Sequence, residues 1–435
     1  MSNSIRTLFS AALSASLIFT PIASAATNSP LWFEHTDIQL PARTSVAQLE
    51  NGLRYIVLPT TKTSDEVSIR VRVGSGVAQE PAELPLARIA ALNTISNTNW
   101  LATTDYQQTV FSLDLTHASE ADVDNALRLI RSGLTTKIQA DSTAELISKG
   151  QASLTDIGQV IEQKQLQPLA SDPTWAEFNA ESSANTPLSA IDDFQAQQYV
   201  PQNITVVIAG AVAPRSATNL IDNNFADWKS SNKTSLSAFS SEFNAYPIAV
   251  QSVANDSSVS ISSLKSVQNQ TDSKALRKDI LIATLANKML QQRIEMALQQ
   301  QHSPAKVVVD NQLVFNHKLL SQIRLTDLDA NEKSTAEQVV QNEIKRAIAG
   351  GFTQTEYEMV VSQVREQLKR QTRLKNSDYT AQQANRLIEA VNSGSVYTAP
   401  SYDLDLLDFH VAHLNELDVS KELEKIWSKD DSVVL

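Results

Sequence analysis

The sequence predicts an α+β protein of two domains, each a mainly antiparallel sheet covered by helices. Three observations carry this. Runs with a period-two apolar rhythm, at 67–73 and 109–115, are interleaved with helical stretches in the order strand, strand, helix, strand, helices, strand. The strongest buried-strand signal, Asn203-Ile-Thr-Val-Val-Ile-Ala-Gly210, closes that set. A fainter copy of the plan then fills the second half, and 435 residues are ample for two domains.

The elements follow in order. Residues 1–25 read as a cleavable export signal: Arg6 supplies the positive start, Leu8 to Ile22 are mostly apolar, and Ala23-Ser24-Ala25 is a small-residue cleavage site. Asn51-Gly52 is a turn into a strand that reaches Pro59, and Val67 to Val73 is a strand buried on one face. Glu83 to Ser96 and Glu120 to Gly133 read as helices, with Thr109 to Leu115 a strand between them. Another amphipathic stretch begins near Thr143, and Leu188 to Tyr199 is helical with Ser189 as its cap. These elements make a first domain over 30–230. Lys229 to Ser241, rich in Ser, Asn and Lys, is the linker. The second domain, 242–435, opens with a strand at Val259 to Leu264 and a long helix over Ala275 to Gln300. Alternation returns at Ala305 to Val309 and Leu319 to Leu325. Ser334/Glu337 and Thr353/Glu356 have capping-box spacing, with Gly350-Gly351 as a helix stop between them. Asp431 to Leu435 reads as the start of one more strand.

Composition removes several function classes. With no cysteine there are neither disulfides nor thiol nucleophiles or ligands. A net charge of -12 without a basic stripe argues against nucleic acid. Beyond the leader no apolar run reaches the roughly 18 residues of a membrane span. Neither a Gly-x-Ser-x-Gly elbow nor a phosphate loop is present. His410 and His413 lie three apart with Glu416 beyond, a loose metal spacing that is as well explained by a polar helix surface. Arg70 and Arg72 share one strand face, read either as solvated or as a hold for a peptide carboxylate.

Several blocks in order resemble one family. They are Asn51-Gly-Leu, Val73-Gly-Ser75, Thr103-Thr-Asp-Tyr106 with Thr109 to Leu115, Tyr199-Val-Pro-Gln-Asn203 with Val206 to Gly210, and Gly351-Phe-Thr-x-x-Glu356. Together they resemble the insulinase/pitrilysin-type zinc metallopeptidases, whose inverted motif is His-x-x-Glu-His on a helix. The resemblance implies two layered domains forming one half of a clamshell, similar to the N-terminal half of large periplasmic members. It also locates the departures. The first ligand position is Arg88, the glutamate position Ala91 and the second ligand position Leu92; none offers a lone pair or a base for zinc. The third ligand falls at Asp156, alone and one methylene short, with Lys149 at a supporting carboxylate position. The family's substrate-binding Arg and Tyr correspond to Gln299 and Lys306. Thr109, Val110 and Phe111 correspond to the strand that active members offer to a peptide. Arg88 reads either as a charge standing in for the metal, paired with Asp156, or as a helix residue released from constraint.

The resemblance therefore implies a catalytically inactive, exported homologue: the non-catalytic half or partner subunit of a periplasmic peptidase that encloses peptides. Its partner would be a zinc-motif-bearing homologous subunit. No cofactor is expected, and no membrane anchor. Two other readings stay open: a structural or degenerate relic without ligand, and an active zinc peptidase with a displaced metal site.

Overall fold

The computed structural model describes residues 36–59, 65–81, 84–96, 98–149, 183–229, 248–252, 258–267, 271–314, 318–329, 331–374 and 380–428. The leader, Asp156, the linker beyond Lys229 and the closing strand at 431–435 lie outside them.

The first sheet has six strands: β1 (Ser45–Gln48), β2 (Arg54–Pro59), β3 (Val67–Val73), β4 (Leu101–Thr104), β5 (Thr109–Leu115) and β6 (Ile204–Gly210). Their spatial order is β1-β2-β6-β3-β5-β4, antiparallel throughout except for the parallel β2–β6 pair. One face carries Val67, Ile69, Val71 and Val73 into a core shared with α1 (Leu86–Ile95), α2 (Glu120–Thr135), α4 (Leu188–Gln198) and α5 (Pro214–Phe225). The short α3 (Thr143–Lys149) joins them through Leu146 and Ile147. Ser119 caps α2, its hydroxyl accepting from the Asp122 N–H while the Asp122 carboxylate accepts from Ser119. Helix α4 opens instead on Pro187 without a side-chain cap, so Ser189 lies inside it.

β3 is buried along its whole length rather than on one face. Its other face is covered from far along the chain by α9 (Thr380–Ser393). Ala384, Leu387, Ile388 and Val391 follow the i, i+3, i+4, i+7 rule and pack on Ile56, Leu58, Val110, Val207 and Ala209. Each fully buried Leu or Ile there stabilises the fold by about 1.5–3 kcal/mol.

The second sheet contains β7 (Ile248–Ser252), β8 (Val259–Ser266), β9 (Lys306–Val314) and β10 (Lys318–Thr326), all antiparallel in the order β7-β8-β10-β9. Val259, Ile261, Val307, Val309, Ile323 and Leu325 face α6 (Lys274–Gln300), α7 (Lys333–Gly350), α8 (Gln354–Leu374) and α11 (Glu416–Trp427). The remaining helix, α10 (Pro400–Val411), packs against α8, with Arg365 paired to Asp408. Helix α7 starts at Lys333 with no side-chain cap, one residue before Ser334, so the Ser334/Glu337 spacing is not a capping box. It stops at Gly351, whose φ of 65° suits a residue without Cβ.

The second expected box is present. Thr353 Oγ1 accepts from the Glu356 N–H at 3.3 Å, and Glu356 accepts from the Thr353 N–H at 2.7 Å. Arg293 adds a bidentate pair to Glu356 at 2.6 and 2.9 Å, tying α6 to α8. Burial alone would raise this carboxyl, but Arg293 and Thr353 bring it down from 4.5 to about 2. A depressed carboxylate contributes stability above its unfolded value and loses it as pH falls. Resistance to urea unfolding should therefore fall as pH drops from about 4.5 to 2 in the native chain. A Glu356→Gln variant should be less stable at neutral pH and flatter across that window. An unchanged acid slope in the variant would show that Glu356 does not set it.

Candidate functional site

The helix that the resemblance aligns with the family's zinc helix is α1, and the local chain sets what surrounds it. Val77 donates its N–H to Asp105 O and Ala78 to Tyr106 O, which pins a single 3-10 turn (Val77–Gln79) to the β4–β5 hairpin. Glu80 follows directly and lies under the start of α1. Its Oε1 accepts from the Ala87 N–H at 3.0 Å, the Arg88 N–H at 3.3 Å and Arg88 Nε at 3.2 Å; its Oε2 accepts from Arg88 Nη2 at 2.6 Å. One carboxylate thus satisfies the first backbone donors of a helix whose N-cap, Pro85, contributes no side-chain bond.

The Arg88 and Glu80 side chains are 1% and 2% exposed. Burial pushes the Glu80 carboxyl up, and the Arg88 guanidinium pulls it back. Leu86, Ala87, Ile89, Ala90, Ala91, Leu92, Thr94 and Ile95 are buried as well. Of the ten residues of α1 only Asn93 is partly exposed, which makes it a core helix. Arg88 therefore pairs with Glu80; Asp156 lies outside the described residues. The Glu80 partner follows from how the turn at 77–79 brings Glu80 under the start of α1, a contact that spacing in the sequence does not announce.

The other expected residues are dispersed. Gln299 is exposed in the last turn of α6. Lys306 opens β9, exposed, in a 2.8 Å pair with Asp327. Thr109, Val110 and Phe111 are paired on both sides, to Val73, Arg72 and Val71 of β3 and to Thr104, Thr103 and Ala102 of β4. They are thus interior, and the expectation of a peptide-binding strand there is corrected. The sheet edge is β4, where alternation of the ladder turns the backbone groups of Ala102 and Thr104 away from β5.

The histidine pair also separates. His410 is 5% exposed in the last turn of α10, its imidazole pulled down by burial and by Lys278. Helix α10 ends at Val411, His413 lies beyond it, and Glu416 begins α11. Among the described residues no group of three or more His, Asp or Glu is placed to hold a metal ion.

Arg70 and Arg72 are not solvated. They are 2% and 8% exposed beneath α9. Arg70 donates to Asn385 Oδ1 at 2.7 Å and to the Asp114 carboxylate at 2.8 and 3.3 Å. Arg72 donates through Nε to Gln108 Oε1 at 2.7 Å and through Nη2 to Asn392 Oδ1 at 2.8 Å. The alternation does mark one polar side of the strand, and that side meets a helix instead of water.

Residues 187–364 match the family of the peptidase M16 inactive domain. A comparison with curated sequences finds none that matches. Among solved structures the fold is similar to a predicted insulinase family protease from Yersinia pestis: TM-score 0.71, 19% identity, 90% of this chain and 92% of that one. It is also similar to the first half of the periplasmic protease PqqL from Escherichia coli: TM-score 0.69, 15% identity, 89% and 90% covered. Against the whole PqqL chain it covers 90% of itself and 47% of that protein, so it spans about half of that longer relative. Among the described residues no helix is long and apolar enough to cross a membrane.

Proposed function

We propose that this chain, which matches the peptidase M16 inactive domain over residues 187–364 and shares the fold of insulinase-family proteins, is the non-catalytic half or partner subunit of a periplasmic peptidase that encloses peptides. One observation carries this: a closed Arg88–Glu80 pair stands at the first zinc-ligand position, on a core helix. Hydrolysis in this family needs a metal-activated water, and Arg88, Ala91 and Leu92 supply neither ligand nor base. A composite peptidase needs one zinc site but two walls, and this chain matches a first half in fold and extent. Its partner is a homologous subunit carrying the intact zinc motif. Export to the periplasm follows from the leader at 1–25 and from the periplasmic location of PqqL.

The test is reconstitution. Residues 26–435 are purified, incubated with zinc and offered quenched fluorogenic peptides, alone and with any homologue of intact zinc motif recovered with them from native periplasm. The chain alone should cleave nothing in a chelator-sensitive way, and a stoichiometric complex should cleave faster than the homologue by itself. Chelator-sensitive cleavage by the isolated chain would replace this reading with a displaced metal site. A chain that recovers no homologue and binds no peptide is a relic.

A further inference from the structure

Helix α10 is held less firmly than its neighbours. Of its twelve residues two are buried, Leu407 and His410, whereas α9 and α11 bury five each. Val411 adds a half-buried contact to the second core. Asp408 pairs with Arg365 of α8 at the surface, and partly exposed pairs of this kind contribute little. The docking of α10 therefore rests on a leucine and a histidine.

The surroundings of His410 suit a neutral ring. Its Nε2 is closed off from solvent and has no hydrogen-bond partner among the described residues. The ring's hydrogen bond to the backbone of Lys274 is thus made by Nδ1. Protonation would place a second N–H where nothing accepts it, and a positive charge beside Lys278 and Lys274 of α6. Burial first, then Lys278, outweigh the Lys274 backbone bond and hold the imidazole below its usual value. The other charges on the packed elements are engaged or exposed. On α6, Arg277 is paired with Asp272 and Asp279 is exposed; on α8, Arg365 is paired with Asp408 and Lys369 with Glu366. On α10 itself Asp405 is exposed and Asp403 accepts from Thr398, while His413 lies beyond the helix end. Asp403 responds the other way: burial raises its carboxyl, so it gains on acidification.

We propose that α10 is an acid-released flap: protonation of His410 lifts it from α6 and α8 while both sheets and the other helices stay in place. A histidine whose folded value is depressed contributes stability above its unfolded value, about 6.5, and loses it as pH falls. Release therefore begins below about pH 6.5, before the more acid range in which Glu356 acts. The flap does not depend on a partner subunit.

Hydrogen exchange of residues 26–435 between about pH 7.5 and 5, read by mass spectrometry as protection factors, tests it. Peptides from α10 should lose protection below pH 6.5 by up to about tenfold per pH unit, while those from α11 hold theirs. His410→Asn keeps a nitrogen that can bond the Lys274 backbone but carries no titrating group, and should remove the pH dependence. Lys278→Gln withdraws one opposing charge and should make the dependence shallower. It decides the matter if His410→Asn leaves α10 undocked at every pH. Flat protection of α10, an equal loss in α11, or a response that survives His410→Asn overturns the proposal. So does an unchanged response in Lys278→Gln where His410→Asn is undocked.

Discussion

Replacing Arg88 by alanine should cost about 3–5 kcal/mol, because it strands a buried carboxylate. Glu80 is 2% exposed on its side chain and would keep only the Ala87 and Arg88 backbone donors. The pair itself need not stabilise the fold, since desolvating two ions offsets much of their attraction. A double variant, Glu80→Gln with Arg88→Met, should therefore fall within about 2 kcal/mol of the native chain, its amide oxygen still accepting from Ala87. The Arg88→Ala defect should also shrink on acidification. Burial already raises the Glu80 carboxyl, so its neutral form suits the folded state. Stability in that variant is retained below the unfolded carboxylate value and lost as pH rises through the raised one. Urea unfolding at pH 5 and pH 8 measures both effects. A single variant costing under about 1 kcal/mol would show that Glu80 relaxes to water and the pair is not a sealed unit.

Trp427→Ala should be comparably severe, about 3–5 kcal/mol. Trp427 is 1% exposed at the end of α11 and closes the second core beside Val419, Leu423 and Ile426. Its Nε1 donates to Asn287 Oδ1 at 3.0 Å, and Asn287, fully buried, donates in turn to Ser321 Oγ at 3.1 Å. The alanine variant loses packing and leaves an amide oxygen without its donor. Trp427→Phe separates the two, keeping most of the ring while removing the N–H, and should cost about 1–3 kcal/mol. Chemical denaturation of both variants reads the difference. Equal losses would assign the whole effect to the hydrogen bond.

How far the fold was legible depends on sequence distance. β3, β5, β6, α2 and α6 were visible because each carries its own period or cap. Helix α9 obeys the same arithmetic at Ala384, Leu387, Ile388 and Val391, yet nothing local says that its apolar stripe belongs on the first sheet. Without that cover, Arg70 and Arg72 read as a solvated face, since alternation reports which side of a strand is polar and not what lies against it. The same limit applied to Thr109, Val110 and Phe111. β4 is four residues long, too short to announce itself, and its pairing turns β5 into an interior strand. At the candidate site the loss of zinc ligands was visible from residue types alone. The Glu80 contact was not, because it depends on how the turn at 77–79 is pinned to the hairpin at 105–106. Ser189 and Ser334 have the chemistry of caps, but their helices begin one residue earlier.

The contact between α9 and β3 sets an order of assembly. Ser68 and Thr380 are 312 residues apart in the chain, and Arg72 and Asn392 are 320 apart. The first sheet can therefore pair its strands before the helix that covers it docks, since the covering contacts are the most distant in sequence. Until then two arginines and a row of aliphatic side chains on that sheet are open to water or to other chains. A chain in that interval presents an uncovered apolar row, the kind of surface on which a holding chaperone acts.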